Sequence, residues 1–351
     1  MSSIFQKAAQ HFAANLPFVL FCKPNSQELK SFFQVNDLLH EVTDFETPGF
    51  VFTNFKADQS YLFPASACEM INELYAFEEV STSTIHSEAS NFDQAKFEGL
   101  VEKAVYSIRE GVFDKVVLSR KETLVKEDFD FLVVFRKMLS KYQSAFRYCW
   151  FHPNVGMWMG ATPEQLIHVN GREFKTVALA GTQKWRDDEV VVWQKKEREE
   201  QKFVTDYILA RLEHEVEFIT QSLPYTFKAG NLVHLKTDIS GVFRQNTTAE
   251  NSVFALHPTP AVCGLPTKAS QNFIQKYEGY DRKFYSGFLG DIQVQKSGAL
   301  LMDLYVNLRC MEIDENQVHI YVGCGITKDS NPEKEYFETA NKAMTMKQIL
   351  N

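Results

Sequence analysis

The run from Val318 to Lys342 constrains this chain most, because strand, glycine and helix signals follow one another without a linker. Residues 318–322 alternate β-branched and aromatic side chains, the pattern of a strand. Gly323 and Gly325, on either side of Cys324, suit a turn where the backbone comes close to another group. Asn331 before Pro332 is a helix start, and Ser330 with Glu333 offers an alternative capping box. On that helix Glu335, Glu338 and Lys342 recur at steps of three and four and share a face. Two carboxylates and an ammonium beside glycine N–H groups suit a divalent cation and an anionic ligand together. A solvated helix face with an i,i+4 ion pair has the same pattern.

The 351 residues are enough for a large core in one domain or two. No Gly-, Ser- or Pro-rich linker and no repeat divides them, so a single domain over 1–351 is expected. Hydrophobic content of 44% with 16 glycines and 11 prolines is a globular composition. Thirty phenylalanines point to broad aromatic packing. A net charge of −8 with no basic cluster argues against a nucleic-acid surface. The six cysteines are widely spaced, with no CxxC pair and no zinc spacing, which suggests a reducing compartment. The apolar run 16–22 is too short to span a bilayer and no small-residue cleavage site follows it. A cytoplasmic protein with no membrane and no obligatory protein partner is expected.

Taken in order, the chain predicts a helix near 4–14, strands over 18–22, 49–55 and 76–79, and a helix over 91–110 ended by Gly111. Lys115 opens an apolar strand at 113–120. It is either an edge lysine with its amine in water or a buried amine with a lowered pKa. A helix over 129–142 and a strand pair over 146–159 lead to Thr162-Pro163-Glu164. Glu164 then starts the next element, where a first-turn helix acid is the simplest role. Residues 174–180 form a strand closed by Gly181, and 187–217 a long charged helix. On that helix Glu197 and Glu200 share a face. Two helices thus each present a glutamate pair with no histidine following, and an oxygen-only set suits Mg²⁺. A strand over 231–242 carries His234. Three prolines and a glycine make 256–267 a rigid loop, with a helix over 268–278 after it. Strands over 284–294 and 300–312 pair around Gly298, the second containing Arg309.

These stretches resemble the chorismate-utilising enzymes, and among them the isochorismate synthases. The matching motifs are FDKVVLSR at 113–120, GATPEQL at 160–166, ALAGT at 178–182, KEREE at 196–200, LHPTPAVCGLP at 256–266, YSG at 285–287, and the run 323–342. They keep the family's order across 95–345, and residues 1–90 match loosely as an N-terminal part of the same fold. The resemblance implies an α+β sandwich, the anthranilate synthase component I-like fold, with two packed antiparallel sheets and helices outside.

It also implies roles. Lys115 corresponds to the general base that activates water for attack at C2 of chorismate. Glu164 corresponds to the acid that protonates the departing C4 hydroxyl. Glu200 and Glu338 correspond to the main Mg²⁺ ligands, with Glu197 and Glu335 supporting them. Arg309, Tyr285, Lys342 and the backbone of Gly323, Cys324 and Gly325 correspond to groups that hold the substrate carboxylates. His234, Ala261 and Gly264 complete the expected substrate site. One departure is Gln201, where the family often has His after the second glutamate.

Three related activities fit such a chain. Ammonia-using anthranilate synthases usually carry Gln at the position of Lys115, although aminodeoxychorismate synthases also carry lysine. Salicylate synthases typically carry Thr where Ala261 stands. Lys115 with Ala261 resembles the isochorismate synthases, isomerases whose product feeds menaquinone or siderophore synthesis. A catalytically inactive interaction protein on the same fold is the reading from another class. The presence of Lys115, Glu164, Glu200, Glu338 and Arg309 weighs against it.

Overall fold

A strand that is apolar on both faces has to lie between two layers, and much of this chain has that character. Every residue of the strand Phe18–Cys22 is buried. Phe18, Leu20 and Cys22 join a core with the helices Ser3–Ala13 and Phe131–Lys141. Val19 and Phe21 face the other way, and the Phe21 ring lies 5.0 Å from that of Phe50 in a second sheet. The structure is a computed structural model and describes residues 3–77, 91–185, 190–229 and 232–350.

Among the described residues the strands form two sheets, of nine and ten strands. The paired strands run antiparallel. The first has the order Gly264–Leu265, Lys115–Val125, Gln317–Ile326, Cys310–Asp314, Gly156–Thr162, Phe146–His152, Phe18–Cys22, Glu28–Gln34, Cys68–Leu74. The second has the order Val216–Gln221, Leu232–Phe243, Glu173–Lys184, Gln165–Asn170, Leu300–Val306, Phe288–Val294, Gly49–Thr53, Ser60–Pro64, His40–Glu41, with Tyr225–Ala229 also paired to Leu232–Phe243. Residues 3–77 therefore supply strands to both sheets.

Aromatic rings fill the space between the sheets. Phe146 stacks on Tyr305 at 4.3 Å and Trp158 on Tyr321 at 5.3 Å. Full burial of such a side chain stabilises by roughly 1.5–3 kcal/mol. The high phenylalanine count is used here and on the outer faces. Ser3–Ala13, Phe131–Lys141 and Pro332–Lys347 cover the nine-stranded sheet, and Lys195–Leu212 with Ala249–Leu256 cover the ten-stranded one. This is the expected α+β arrangement with helices outside.

Several expected boundaries move. The helix expected over 187–217 is Lys195–Leu212; residues 190–194 are not helical and 187–189 lie outside the described residues. Residues 76 and 77 carry no regular structure, and 78–79 lie outside the described residues, as does 231. Glu164 precedes a strand, Gln165–Asn170, so it is not a first-turn helix acid. Gly323 and Gly325 lie inside a strand, because Gln317–Ile326 pairs residue by residue with Lys115–Val125 through the glycines. The expected strand over 300–312 is two strands, Leu300–Val306 in one sheet and Cys310–Asp314 in the other.

That break matters, because the chain changes sheet there. It also changes sheet between Gly156–Thr162 and Gln165–Asn170. The two crossings lie side by side. Thr162 Oγ1 donates to Val306 O at 2.6 Å, Val306 N to Glu164 O at 2.9 Å, and Ala161 N to Arg309 O at 3.0 Å. Backbone groups that leave both ladders thereby find partners in each other. Asn307, fully buried, fastens the second crossing: Nδ2 donates to Phe284 O at 2.9 Å and Oδ1 accepts from Tyr148 Oη at 2.7 Å. Glu164 sits in the first crossing and Arg309, at a left-handed φ of 48°, in the second.

The helix Pro332–Lys347 starts on Asn331, whose side chain accepts from Lys334 N at 3.0 Å. Asn331→Ala removes that cap and is expected to cost about 1 kcal/mol. Urea unfolding of the variant should show a lower midpoint at an unchanged slope; an unchanged midpoint assigns the cap to another group.

Candidate active site

A cavity of about 240 Å³ lies where the two crossings, the strands Lys115–Val125 and Gln317–Ile326, and the helices Lys195–Leu212 and Pro332–Lys347 converge. Lys115, Glu164, Glu197, Glu200, His234, Ala261 and Tyr285 line it. So do Arg309, Gly323, Cys324, Gly325, Glu335, Glu338 and Lys342. Gly264 does not. It pairs with Val116, and a Cβ there would lie 2.3 Å from Lys115 O, so its place is behind the lysine.

Lys115 is buried, 4% exposed. Its carbonyl accepts from Ser270 Oγ at 2.9 Å, which holds the start of the strand. A Cβ on Gly325 would come within 3.0 Å of Lys115 Cε, so the glycine leaves the channel that this side chain occupies. Burial is the largest influence on the amine and lowers its pKa; Glu200 opposes and Lys342 adds to the drop. The sequence left an edge lysine open as an alternative; the structure places a buried amine. Glu164, partly exposed towards the cavity, is pushed the other way. Burial raises its carboxyl pKa to about 7 against the pull of Lys115, Lys342 and Arg309.

Two further cationic groups, Arg309 and Lys342, line the same cavity. Among the described residues the Arg309 side chain has no hydrogen-bond or ion-pair partner. Burial lowers its pKa from the usual guanidinium value, with Tyr285 and Glu338 opposing. Lys342 Nζ donates to Gly323 O at 3.0 Å and to Glu338 Oε1 at 2.6 Å. Tyr285 stacks on Tyr321 at 5.7 Å, and its hydroxyl lies where a Cβ on Gly323 would intrude, 2.9 Å away. His234 Nδ1 lies 3.2 Å from Gly181 O. A carbonyl only accepts, so Nδ1 carries the proton. Burial lowers the His234 pKa to about 4, with Arg309 adding to the drop, so the ring is neutral near pH 7.

The four glutamates share the cavity but do not converge. Among the described residues no three or more His, Cys, Asp or Glu side chains form a group able to hold a metal ion. Glu197 accepts from Gln194 N at 2.6 Å and Gln183 Nε2 at 2.9 Å, which caps its own helix. Glu338 is paired with Lys342. Glu200 makes neither a hydrogen bond nor an ion pair among the described residues. Its neighbour Gln201, 2% exposed, donates to Thr205 Oγ1 at 2.9 Å and Thr237 Oγ1 at 2.7 Å, tying the helix to the ten-stranded sheet. The donor set is all oxygen, from two helices that both line the cavity, and its chemistry fits a hard divalent cation.

The cavity also takes in Gly181, Val262, Ser286 and Tyr321, which the sequence reading did not assign. Gly181 was expected to close a strand, but the strand Glu173–Lys184 continues through it, and a glycine inside a strand marks a bulge or a close approach. It has φ 73°, the register shifts beside it, and a Cβ there would lie 3.0 Å from Glu197 Cβ. Tyr321 carried no signal, since a tyrosine in an apolar strand reads as core.

The chorismate binding enzyme family matches residues 32–351. Isochorismate synthase EntC of Escherichia coli (strain K12) is 30% identical over 264 residues, 72% of this chain and 66% of that protein. The salicylate biosynthesis isochorismate synthase of Pseudomonas aeruginosa is 30% identical over 279 residues, 77% of this chain and 58% of that one. The structure of MenF, the menaquinone-specific isochorismate synthase from Escherichia coli, superposes with a TM-score of 0.78 at 21% identity, covering 95% of this chain and 89% of that one.

The raised pKa of Glu164 has a stability consequence. Between pH 4.5 and about 7 the folded protein keeps a proton that the unfolded chain has released, so stability falls as pH rises through that window. Glu164→Gln removes this slope. The variant should match wild type near pH 4 and exceed it in urea midpoint at pH 8. Parallel pH profiles of the two proteins would show an ordinary carboxyl at this position.

Proposed function

The chain belongs to the chorismate binding enzymes, and from that premise we propose that it is an isochorismate synthase that adds water at C2 of chorismate and releases the C4 hydroxyl. The observation that carries this reading is one cavity holding a buried amine of lowered pKa and a carboxyl raised to about 7. A base must be neutral and an acid protonated at the same pH, and burial moves these two groups towards that condition together.

In this mechanism neutral Lys115 takes a proton from water as the water oxygen bonds to C2. The ring double bonds shift and the C4–O bond breaks. Glu164 gives its proton to the departing hydroxyl, which leaves as water. One water enters and one leaves, so substrate and product are isomers. Each proton transfer supplies roughly 10²–10⁴-fold. The Arg309 guanidinium, without a hydrogen-bond or ion-pair partner among the described residues, suits bidentate binding of a substrate carboxylate, with Lys342, Tyr285 and the Gly323–Gly325 backbone as further partners. Neutral His234 offers hydrogen bonding without adding charge.

Glu200 and Glu338 would hold Mg²⁺, with Glu197 and Glu335 supporting them. The cation would offset the repulsion between these carboxylates and a dianionic substrate. Excess EDTA should then abolish turnover, and Glu200→Gln or Glu338→Gln should abolish Mg²⁺-dependent turnover with an unchanged melting profile. Full activity in EDTA removes the metal from the reading.

The test of the whole proposal is incubation of purified protein with chorismate and Mg²⁺, followed by chromatography. Isochorismate should appear in equilibrium with chorismate, without stoichiometric pyruvate. Pyruvate release would indicate a salicylate synthase, and product only with ammonia an amino-transferring relative. Lys115→Ala and Glu164→Ala should each lower kcat by roughly 10²-fold or more at similar KM. The double variant should be little worse than the poorer single. A normal kcat in either single variant removes that residue from the mechanism.

A further inference from the structure

Behind the cavity lies a buried ion pair that neither the motifs nor the proposed chemistry assigns. Glu278 ends the helix Thr267–Tyr277, and Arg282 follows four residues later, past the helix end. Their side chains are 0% and 2% exposed. Arg282 Nε donates to Glu278 Oε2 at 2.8 Å, and a second guanidinium nitrogen, Nη2, bonds Glu278 Oε1. A buried ion pair is weak evidence for stability, because desolvation opposes it. Its remaining bonds show what it holds.

The strand Lys115–Val125 is flanked on this side by only a short partner, Gly264–Leu265. Asp114 N donates to Leu265 O at 2.7 Å and Val117 N to Cys263 O at 2.8 Å, and there the backbone pairing stops. The ion pair takes over from that point. Arg282 Nη2 bonds Val117 O at 2.7 Å and Nη1 bonds Val262 O at 3.0 Å. Glu278 accepts from Ser119 N at 2.8 Å and from Ser119 Oγ at 3.0 Å. One guanidinium thus joins two segments that both line the cavity: Val117, two residues beyond Lys115, and Val262, beside Ala261. Burial, the largest influence, works against the Arg282 charge; Glu278 overcomes it and holds the group charged.

Building on the isochorismate synthase reading, we infer that Glu278 and Arg282 are positioning residues for the reaction, setting the register between the strand that carries Lys115 and the proline-rich loop that carries Ala261. Arginine is required here because two carbonyls and a carboxylate need several donors in one plane, which an ammonium cannot present. Displacing a base by about 1 Å from its substrate costs on the order of 10²-fold, so small slippage between these segments reaches kcat.

Arg282→Lys is the test, with Arg147→Lys as its control. Arg147 is also fully buried and also bonds backbone carbonyls, Leu139 O at a helix end and Lys23 O in a loop, both at 2.8 Å, but it does not line the cavity. Arg282→Lys should lower kcat roughly 10-fold or more with KM changed by less than about threefold. Hydrogen exchange should quicken at residues 115–119 and 261–263. Arg147→Lys should lower the melting temperature and leave kcat and those segments unchanged. If Arg282→Lys does not fold, Ser119→Ala, which removes one bond to Glu278, should show the same pattern at smaller size. Loss of melting temperature with unchanged kcat, or exchange unchanged in the two segments, overturns the inference. A wild type that does not turn over chorismate faults the functional reading alone, because exchange still reports on the clamp.

Discussion

The two side-by-side crossings between the sheets are the constraint on which the rest of this structure depends. A chain that leaves one ladder for another exposes backbone donors and acceptors in a buried place, where each unpaired group costs about 1–3 kcal/mol. Here each crossing supplies the other's partners, through Thr162 to Val306, Val306 to Glu164, and Ala161 to Arg309. The same bonds fix a carboxyl and a guanidinium at neighbouring points on the cavity wall. Left-handed backbone at Arg309 and Ser286 is held in place by this packing.

The second organising feature is the burial of unlike charges in one small volume. Lys115, Lys342 and Arg309 share the cavity with five glutamates, Glu164, Glu197, Glu200, Glu335 and Glu338. Desolvation acts in opposite directions on a base such as Lys115 and an acid such as Glu164. It therefore brings Lys115 and Glu164 towards each other on the pH scale, although free lysine and glutamate titrate about six units apart. Close approach of backbone makes this possible. Gly325 leaves the lysine its channel and Gly181 lets the helix bearing Glu197 come near. The clamp made by Glu278 and Arg282 extends the same logic to the sheet edge, where side chains do what a neighbouring strand would otherwise do.

Much of this was legible in the residue order. Strands such as Phe18–Cys22 and the helix Asn91–Arg109 follow from local periodicity, and Asn331 marks its helix start directly. The glutamate pairs follow from helical spacing. The errors occurred where long-range pairing decides. Residues 300–312 are mostly apolar, and the polar interruptions at Asp303, Asn307 and Arg309 do not by themselves tell a continuing strand from a change of sheet. Gly323 and Gly325 suit a turn when read alone, but pairing with Ser119 and Val117 keeps them in a strand. The run at 187–217 was expected as one helix, but Val190, Val191, Val192 and Trp193 precede a helix that begins at Lys195, where Glu197 caps it.

The sequence by itself determined much of the inventory: many of the elements, which carboxylates share a face, and which family the motifs match. Those properties depend on neighbours a few residues apart, and short-range sterics and periodicity encode them. Only the tertiary structure decided that Lys115 is buried, that Gly264 stands behind it instead of in the cavity, and that Arg282 spans Val117 and Val262. Burial and hydrogen-bond partners belong to pairs of residues far apart in the chain, and no local pattern records them. The pKa of an amine or a carboxyl depends on those partners, so the chemistry of the cavity became readable only once the two sheets were packed.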